Sequence, residues 1–251
     1  MSFQASPPVS LPSGFYWDEQ LQLGAETAAL TARVWPVYLV EDSDRPEPGL
    51  RLEITEAELA RRFPVWGIRR ADTGALAAYI NAAVIRADLE ASQLPDQGWR
   101  FAIQAAVKAE TPNCICLLVA NVDPASRGAG LSACLLERAK AETRGRGLDT
   151  LIAPVRPLRK DWAPGQSEAD SDPWINLHLR AGGEVVNVCA ESVRVEASLG
   201  LWRRWTGLGL GASGEYELDG ARGPLVVDHV AGIGVYREPN VWVRYRLGSL
   251  P

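Results

Sequence analysis

The sequence predicts an α/β protein, and three features of the chain support this class. An apolar run at residues 113–122 is followed by an amphipathic helix that begins at Leu131 and then by a second apolar run at 148–155, which is the order of a βαβ unit. Upstream, the strand-like runs 65–70 and 75–86 are joined by a short loop that ends in glycine, which is typical of a β-hairpin. The C-terminal part carries further short β-like runs. A sheet with helices packed on it is therefore expected.

Before the hairpin, one strand and one helix are expected. Residues 30–40 are rich in Val, Tyr and Trp, which favours a strand, and Pro36 restricts that strand to an edge or bulged position. Residues 56–62 follow Thr55, and Glu58 lies three positions after it, which is the spacing of a capping box. The acidic start and basic end of this segment complement a helix dipole, so we expect a capped helix here.

The βαβ unit has well-marked ends. A helix with apolar spacing is expected at 99–108, before the first strand. In the helix after that strand, Leu131 and Leu135 fall on one face, as expected for packing on a sheet. Two glycines after this helix indicate its end, so residues 148–155 should form a strand parallel to 113–122.

A second helix with a clear start follows the βαβ unit. Asp172 is a favourable N-cap, and Pro173 suits the first helical position. Gly182 indicates the helix end, and the apolar run 184–195 should continue as a strand. In the C-terminal tail, residues 240–245 alternate most regularly and give the strongest strand signal.

Composition excludes several classes of function. The chain has 251 residues, a net charge of −5 and an isoelectric point near 5.2, whereas nucleic-acid binders usually carry a basic patch. No apolar stretch approaches the ~20 residues of a membrane span, and residues 1–14 lack the basic and apolar parts of a signal peptide. We therefore expect a cytoplasmic protein that contacts neither nucleic acid nor membrane.

The cysteines and histidines do not form a metal-binding pattern. No Cys-x-x-Cys pair occurs among the four cysteines, and the chain has only two histidines. Cys114 and Cys116 alternate on one expected strand, so both point to the same face and are poorly placed to bond each other. Reduced thiols and no metal site are the expectation.

The turn at residues 127–132 is the strongest candidate for a ligand site. Arg127, Gly128, Ala129, Gly130, Leu131 and Ser132 stand directly before or within the first turn of the helix. The first amides of a helix have no intrahelical partner, and the helix dipole places partial positive charge there, so glycine at this point allows close approach of a phosphate. Neither the Gly-x-x-x-x-Gly-Lys-Ser/Thr loop nor the full dinucleotide fingerprint is present.

This stretch resembles the acetyl-coenzyme A (acetyl-CoA) loop of the GNAT (Gcn5-related N-acetyltransferase) superfamily. In that family an apolar strand and Val-x-Pro precede Arg/Gln-x-x-Gly-x-Gly/Ala, which opens a helix. The matching residues are Val122, Pro124, Arg127, Gly130 and Ser132, where Ser132 departs from the family's Gly or Ala. The resemblance implies an α/β fold of GNAT type, with a mixed, splayed central sheet flanked by helices.

Residues 172–184 resemble the second GNAT signature, a short helix that carries Tyr and ends in Leu-Gly-Phe. Aligning the family's glycine with Gly182 places His178 where many members have the Tyr that protonates the departing CoA thiolate. Ala181 and Gly183 stand in for the leucine and the aromatic residue. His178 is thus the candidate general acid, and a structural histidine bonded to a backbone carbonyl is the alternative.

The resemblance implies an acyltransferase that moves an acetyl or other acyl group from acyl-CoA to an amine by direct transfer. The amides of residues 127–132 would hold the pyrophosphate, and the backbone of Asn121 and Val122 would bind the pantetheine and polarise the thioester carbonyl. The acceptor would be a small-molecule or peptide amine, and the sequence assigns no general base. The alternative is a non-catalytic acyl-CoA-binding module, which the missing Tyr favours; acyl-CoA chemistry other than transfer to an amine is a further possibility.

The chain is expected to divide into three parts. These are an irregular N-terminal segment (1–29), a GNAT-like acyl-CoA-binding core (30–195) and a C-terminal β-rich extension (196–251). The extension contains Trp202, Trp205 and Trp242, whose large apolar bodies need burial. We expect them to pack the extension onto the core, as a lid or as the face of a homodimer.

Overall fold

A computed structural model describes residues 9–43, 55–90, 93–108, 111–164 and 172–248. The strands are β1 Phe15–Asp18, β2 Val65–Arg70, β3 Leu76–Ile85, β4 Cys114–Val122, β5 Thr150–Val155, β6 Glu184–Ser198, β7 Gly214–Tyr216, β8 Leu225–Asp228 and β9 Ile233–Arg246. The helices are α1 Ala25–Val34, α2 Val37–Ser43, α3 Glu56–Arg62, α4 Gly98–Val107, α5 Leu131–Gly145, α6 Pro173–Arg180 and α7 Leu199–Thr206, with a 3-10 turn at Pro124–Ser126.

The strands form one mixed sheet in the order β1-β2-β3-β4-β5-β9-β8-β7, and β6 pairs with the other edge of β9. The β2–β3 pair is the expected hairpin, and β4 and β5 are parallel neighbours as the βαβ pattern predicts. The expected class, a mixed α/β fold with a splayed sheet, is confirmed. Among the described residues no helix is long and apolar enough to cross a bilayer.

The sheet splays between β4 and β5. Their pairing is limited to Ile115 with Leu151 and Cys116 with Ile152, after which the two strands have no register partners in common. At the same level the β3–β4 register slips, so that Asn81 faces Val119 and Ala82 faces Leu117. This β-bulge increases the local twist of β4 and helps to turn its C-terminal half away from β5. The result is a cleft between the carboxyl ends of two parallel strands.

Helices cover both faces of the sheet. Leu131, Leu135 and Leu136 of α5 pack on one face, in a core cluster that includes Ile115 and Leu117. On the opposite face, α4 packs on β4 through a cluster that includes the two β4 cysteines, and α1 packs on β3 through Leu30. Both helical layers meet the strands beside the cleft, which opens toward the carboxyl ends of β4 and β5.

The strand expected at residues 30–40 is wrong, because this segment is helical. It contains the end of α1 and most of α2, and Leu30, Tyr38 and Leu39 are buried. Pro36 stands between the two helices, where its carbonyl accepts from the Leu39 amide. Proline has no backbone N–H, but an N–H at the start of a helix has no intrahelical acceptor, so Pro36 is compatible with α2. Tertiary burial outweighs the β preference of Val, Tyr and Trp here.

The chain ends also differ from the expected three-part division. Residues 1–29 were expected to be irregular, but β1 and the start of α1 lie there, and β1 pairs with β2. At the other end, β9 lies inside the main sheet between β5 and β6. Between β6 and β9 the chain forms an insertion that contains α7, β7 and β8, and its strands β8 and β7 complete the sheet beyond β9. Trp202 and Trp205 of α7 pack on each other as expected for buried indoles.

The insertion adjoins the cleft because of how β9 is paired. One edge of β9 pairs with β5 through residues 241–246 and with β8 through residues 233–236. Since β9 runs antiparallel to β5, its N-terminal half extends past the carboxyl end of β5. The β7–β8 hairpin therefore stands in line with β5, beyond the point where β5 ends.

Candidate active site at the sheet splay

The turn before α5 has the geometry of an anion site. Gly128 and Gly130 have φ values of +82° and +77°, a left-handed conformation that favours glycine. Gly130 is the N-cap of α5 and provides no side-chain cap, so the first α5 amides, those of Leu131 and Ser132, keep their hydrogen-bonding capacity. A methyl group added at either glycine would meet no atom within 4 Å. The turn therefore presents amides to open space.

Arg127 lies at the edge of this turn with an exposed side chain. A cavity of about 570 Å³ beside it is also lined by Ser126, Ala129 and Arg70. The Ser126 hydroxyl is buried and has no hydrogen-bond partner among the described residues. The phosphate-binding role of residues 127–132 stays a prediction, and the turn has the open amides and adjacent positive charge that this role requires.

Asn121 and Val122 end β4, on the splayed part of the strand. The Asn121 side chain is 2% exposed and turns away from the turn before α5: its amide nitrogen donates to Thr31 Oγ1 (3.1 Å) and to the Tyr79 hydroxyl (3.2 Å). The side chain is thus committed to the α1 side, whereas the strand edge toward β5 has no neighbouring strand. The predicted backbone contacts of Asn121 and Val122 with a pantetheine arm are compatible with this arrangement.

His178 lies in the core on α6, where it is 2% exposed. Its Nδ1 is 2.6 Å from the Tyr245 hydroxyl, and its ring packs edge-on against Trp174. Its Nε2 is buried and has no partner among the described residues. Burial lowers the pKa of His178 to about 4, so the imidazole is neutral at pH 7. The role of His178 as the proton donor stays a prediction. At neutral pH only a small fraction of the ring is in the imidazolium form, which is the form that donates a proton most readily.

Of the two acidic residues near β4, Asp123 and Glu110, the structure describes Asp123, which is a poor candidate for a general base. Asp123 follows β4, and its carboxylate accepts from the Ala125 amide and pairs with Arg33 at 2.7 Å. The backbone hydrogen bond and the Arg33 charge lower the pKa of Asp123, which weakens it as a base. Glu110 lies outside the described residues.

Sequence reasoning missed a buried ion pair at the end of β5. Arg156 follows β5 directly, and its Nε and Nη2 donate to the two oxygens of Glu238 at 2.7 and 2.9 Å. Glu238 has no solvent exposure, and it also accepts from the Tyr236 hydroxyl at 2.5 Å. Burial acts to lower the pKa of Arg156, but the bonds to Glu238 outweigh it and leave that pKa raised. The available signal was a single acidic residue, Glu238, within the strand pattern of β9.

Trp35 is the second residue that sequence reasoning missed. It ends α1, and its indole Nε1 donates to the Asn121 side-chain oxygen at 2.6 Å. The guanidinium carbon of Arg156 lies 5.4 Å from the centre of a Trp35 ring. Its distance from Asn121 and Arg156 along the chain explains why no local pattern indicated the contact.

The described residues contain no group of three or more His, Cys, Asp or Glu side chains placed to hold a metal ion. The four cysteines are free thiols, and burial raises the pKa of Cys114 and Cys189 to about 12. Such thiols stay protonated at neutral pH and are poor nucleophiles.

Comparison with solved structures supports the fold. The GphF GNAT-like decarboxylase in complex with isobutyryl-CoA aligns with 89% of this chain and 94% of its own, at a TM-score of 0.51 and 20% identity. The loading GNATL domain of CurA from Lyngbya majuscula aligns with 88% and 92%, at a TM-score of 0.51 and 14% identity. By sequence, the chain is similar to the arginine N-acetyltransferase avaD of Aspergillus versicolor, with 27% identity over 187 residues.

These structures show that the chain has the GNAT fold. The aligned residues are 61% of this chain and 64% of the Aspergillus relative, so the chain spans less than two thirds of that relative's length. No protein-family model matches the sequence. The GNAT-type fold expected from the turn before α5 is confirmed, and the splay between β4 and β5 lies directly beside that turn.

Proposed function

We propose that this protein is an acyltransferase of the GNAT superfamily that transfers an acyl group from acyl-CoA directly to an amine. One observation carries the proposal: the open amides at the N-terminus of α5 adjoin the cleft where β4 and β5 separate. The turn would hold the pyrophosphate of acetyl-CoA or another acyl-CoA through the amides of residues 127–132, with Arg127 adding charge. The similarity to a protein named as an arginine N-acetyltransferase supports amine transfer.

In this proposal the pantetheine arm lies in the cleft along the unpaired edge of β4. The backbone at Asn121 and Val122 would position the arm and stabilise the negative charge that develops on the thioester oxygen. The amine, a small molecule or a peptide, attacks the carbonyl carbon, and the carbon–sulfur bond breaks. The amine nitrogen loses one proton to water and the CoA thiolate takes up one proton, so the net products are the amide and CoA thiol. His178 is the proposed proton donor.

The test is thiol release in the presence of a panel of amines. The protein is incubated with acetyl-CoA and with arginine, polyamines or a peptide N-terminus in turn, and free CoA thiol is followed over time. Thiol release that depends on one class of amine, together with the acetylated product, is the expected result. Binding of acetyl-CoA without release for any amine favours a non-catalytic acyl-CoA-binding module.

A second candidate is decarboxylation of a carboxyacyl-CoA, in which CO2 leaves and a proton replaces it on the acyl chain. One observation favours this candidate: the position of the family Tyr holds His178, which is buried and neutral. Decarboxylation releases no thiolate, so it does not require the proton donor that the Tyr supplies. The similarity to a GNAT-like decarboxylase is consistent with it. Malonyl-CoA separates the candidates, since decarboxylation yields acetyl-CoA and CO2 without free thiol.

A further inference from the structure

Four side chains form a continuous polar connection across the mouth of the cleft. Asn121 of β4 accepts a hydrogen bond from Trp35, Trp35 lies under the guanidinium of Arg156, and Arg156 pairs with Glu238 of β9. We refer to Asn121, Trp35, Arg156 and Glu238 as the cleft bridge. It joins the end of β4 to the end of β5 at the level where the two strands no longer pair. The indole of Trp35 therefore spans the gap between them.

The cleft bridge lies on the face of the sheet opposite to the turn before α5. Tyr79 and Asn121 are register partners and both contact Thr31 of α1. Ala120 and Val122 flank Asn121 and pack in the core cluster of α5, so Asn121 points away from α5. A pantetheine arm that entered the cleft from the N-terminus of α5 would direct its acyl end toward the opposite face, where Trp35 contacts Asn121 and Arg156.

Trp35 is held from both sides and is only partly buried. Asn121 fixes its Nε1, and Arg156 lies over its ring. Arg156 is fixed in turn by Glu238 and by the carbonyl of Gly220 in the insertion, at 2.8 Å. Because both partners are themselves anchored, the indole has little freedom to move aside for a bulky ligand.

We propose that Trp35 is a specificity-determining residue, which closes the acyl end of the cleft and limits the length of the acyl chain. Glu238 is a positioning residue, because it acts only through Arg156. This inference rests on the proposed function, since it assumes an acyl-CoA in the cleft. It predicts that short acyl groups are accepted and longer ones are excluded by contact with the indole.

The test compares the affinities of CoA, acetyl-CoA and hexanoyl-CoA by calorimetry, for the wild type, Trp35→Ala and Trp35→Phe. Each methylene that gains an apolar environment strengthens binding about fourfold, so the space left by Trp35→Ala should improve hexanoyl-CoA binding at least tenfold. Acetyl-CoA and CoA affinities should change less than threefold. Trp35→Phe keeps an aromatic wall and should retain the preference of the wild type.

Glu238→Gln provides a readout specific to positioning. It keeps the shape of the side chain but weakens the hold on Arg156, so the ratio of hexanoyl-CoA to acetyl-CoA affinity should rise partway toward that of Trp35→Ala while CoA affinity is retained. If thermal denaturation shows no folded state for Trp35→Ala, Trp35→Leu is used in its place. An unchanged ratio in a folded Trp35 variant that binds CoA normally overturns the inference alone. Failure of the folded wild type to bind CoA overturns both this inference and the proposed function.

Discussion

The conformation of Gly130 provides a sharp test of the proposed CoA site. Gly130 has a φ of +77° at the N-cap of α5, and a methyl group added there would project into open space. Gly207, at the C-cap of α7, has a φ of +69° and equally open surroundings. The two glycines therefore impose the same backbone requirement, one at the candidate site and one in the insertion. Gly207→Ala is a matched control for Gly130→Ala.

Both substitutions should lower stability by a similar amount. Forcing an L-residue into the left-handed region costs roughly 1–2 kcal/mol. For a chain of this size, each kcal/mol shifts the melting temperature by roughly 2–4 °C. Both variants should thus melt a few degrees below the wild type and remain folded at 25 °C, which differential scanning calorimetry measures directly.

Only Gly130→Ala should weaken CoA binding. The added methyl group stands on the residue directly before the α5 amides, and relaxation of the strain at this residue would reorient the amides that a phosphate needs. The loss of one good anion contact, about 1.4 kcal/mol, raises the dissociation constant roughly tenfold. Titration calorimetry at 25 °C with CoA should show this rise for Gly130→Ala and a change below twofold for Gly207→Ala.

Two results would contradict the proposal that the CoA phosphates bind at the turn before α5. Equal losses of CoA affinity in the two glycine variants would mean that the effect is one of general stability. Unchanged affinity in a folded Gly130→Ala would mean that the phosphates bind elsewhere or that no CoA binds at this turn. Either result removes the observation on which the proposed function depends.

Three further predictions concern His178, the buried ion pair and the α6 cap. The pKa of His178 is about 4 in the folded protein and ~6.5 in the unfolded chain, so the stability that the neutral ring contributes is complete above pH 6.5 and is lost as the pH falls toward 4, by about 3 kcal/mol in total. In urea unfolding, His178→Phe should lack this dependence of stability on pH. Turnover that is unchanged by the same substitution would remove His178 from the mechanism. Glu238→Ala leaves the largely buried Arg156 guanidinium without its carboxylate partner, although its bond to the Gly220 carbonyl remains, and should cost roughly 3–5 kcal/mol in denaturant unfolding. A loss below 1 kcal/mol would contradict the tight pairing of Arg156 with Glu238. Asp172 caps α6 through the amides of Trp174 and Ile175, so Asp172→Ala should lower the free energy of unfolding by about 0.5–2 kcal/mol, and Asp172→Asn should recover much of it.

Local signals in the sequence predicted those elements whose ends are defined by neighbouring residues. Thr55 accepts from the Glu58 amide and Asp172 caps α6, as the spacing of these residues predicts. The hairpin, the βαβ unit and the glycine-bearing turn were predicted for the same reason: each pattern lies within a short stretch of chain. The strand expected at 30–40 was wrong because its composition favours β structure locally, whereas burial of Leu30 and Tyr38 against distant strands favours helices.

By itself, then, the sequence indicated the GNAT resemblance and the place of the candidate CoA turn, since both rest on contiguous motifs. The tertiary structure decided the composition of the opposite side of the cleft. Trp35 and Asn121 are 86 positions apart, and Arg156 and Glu238 are 82 apart. It also decided that β9 belongs to the main sheet and that the insertion stands beyond β5. Contacts over such separations depend on strand order and register, which no local pattern encodes.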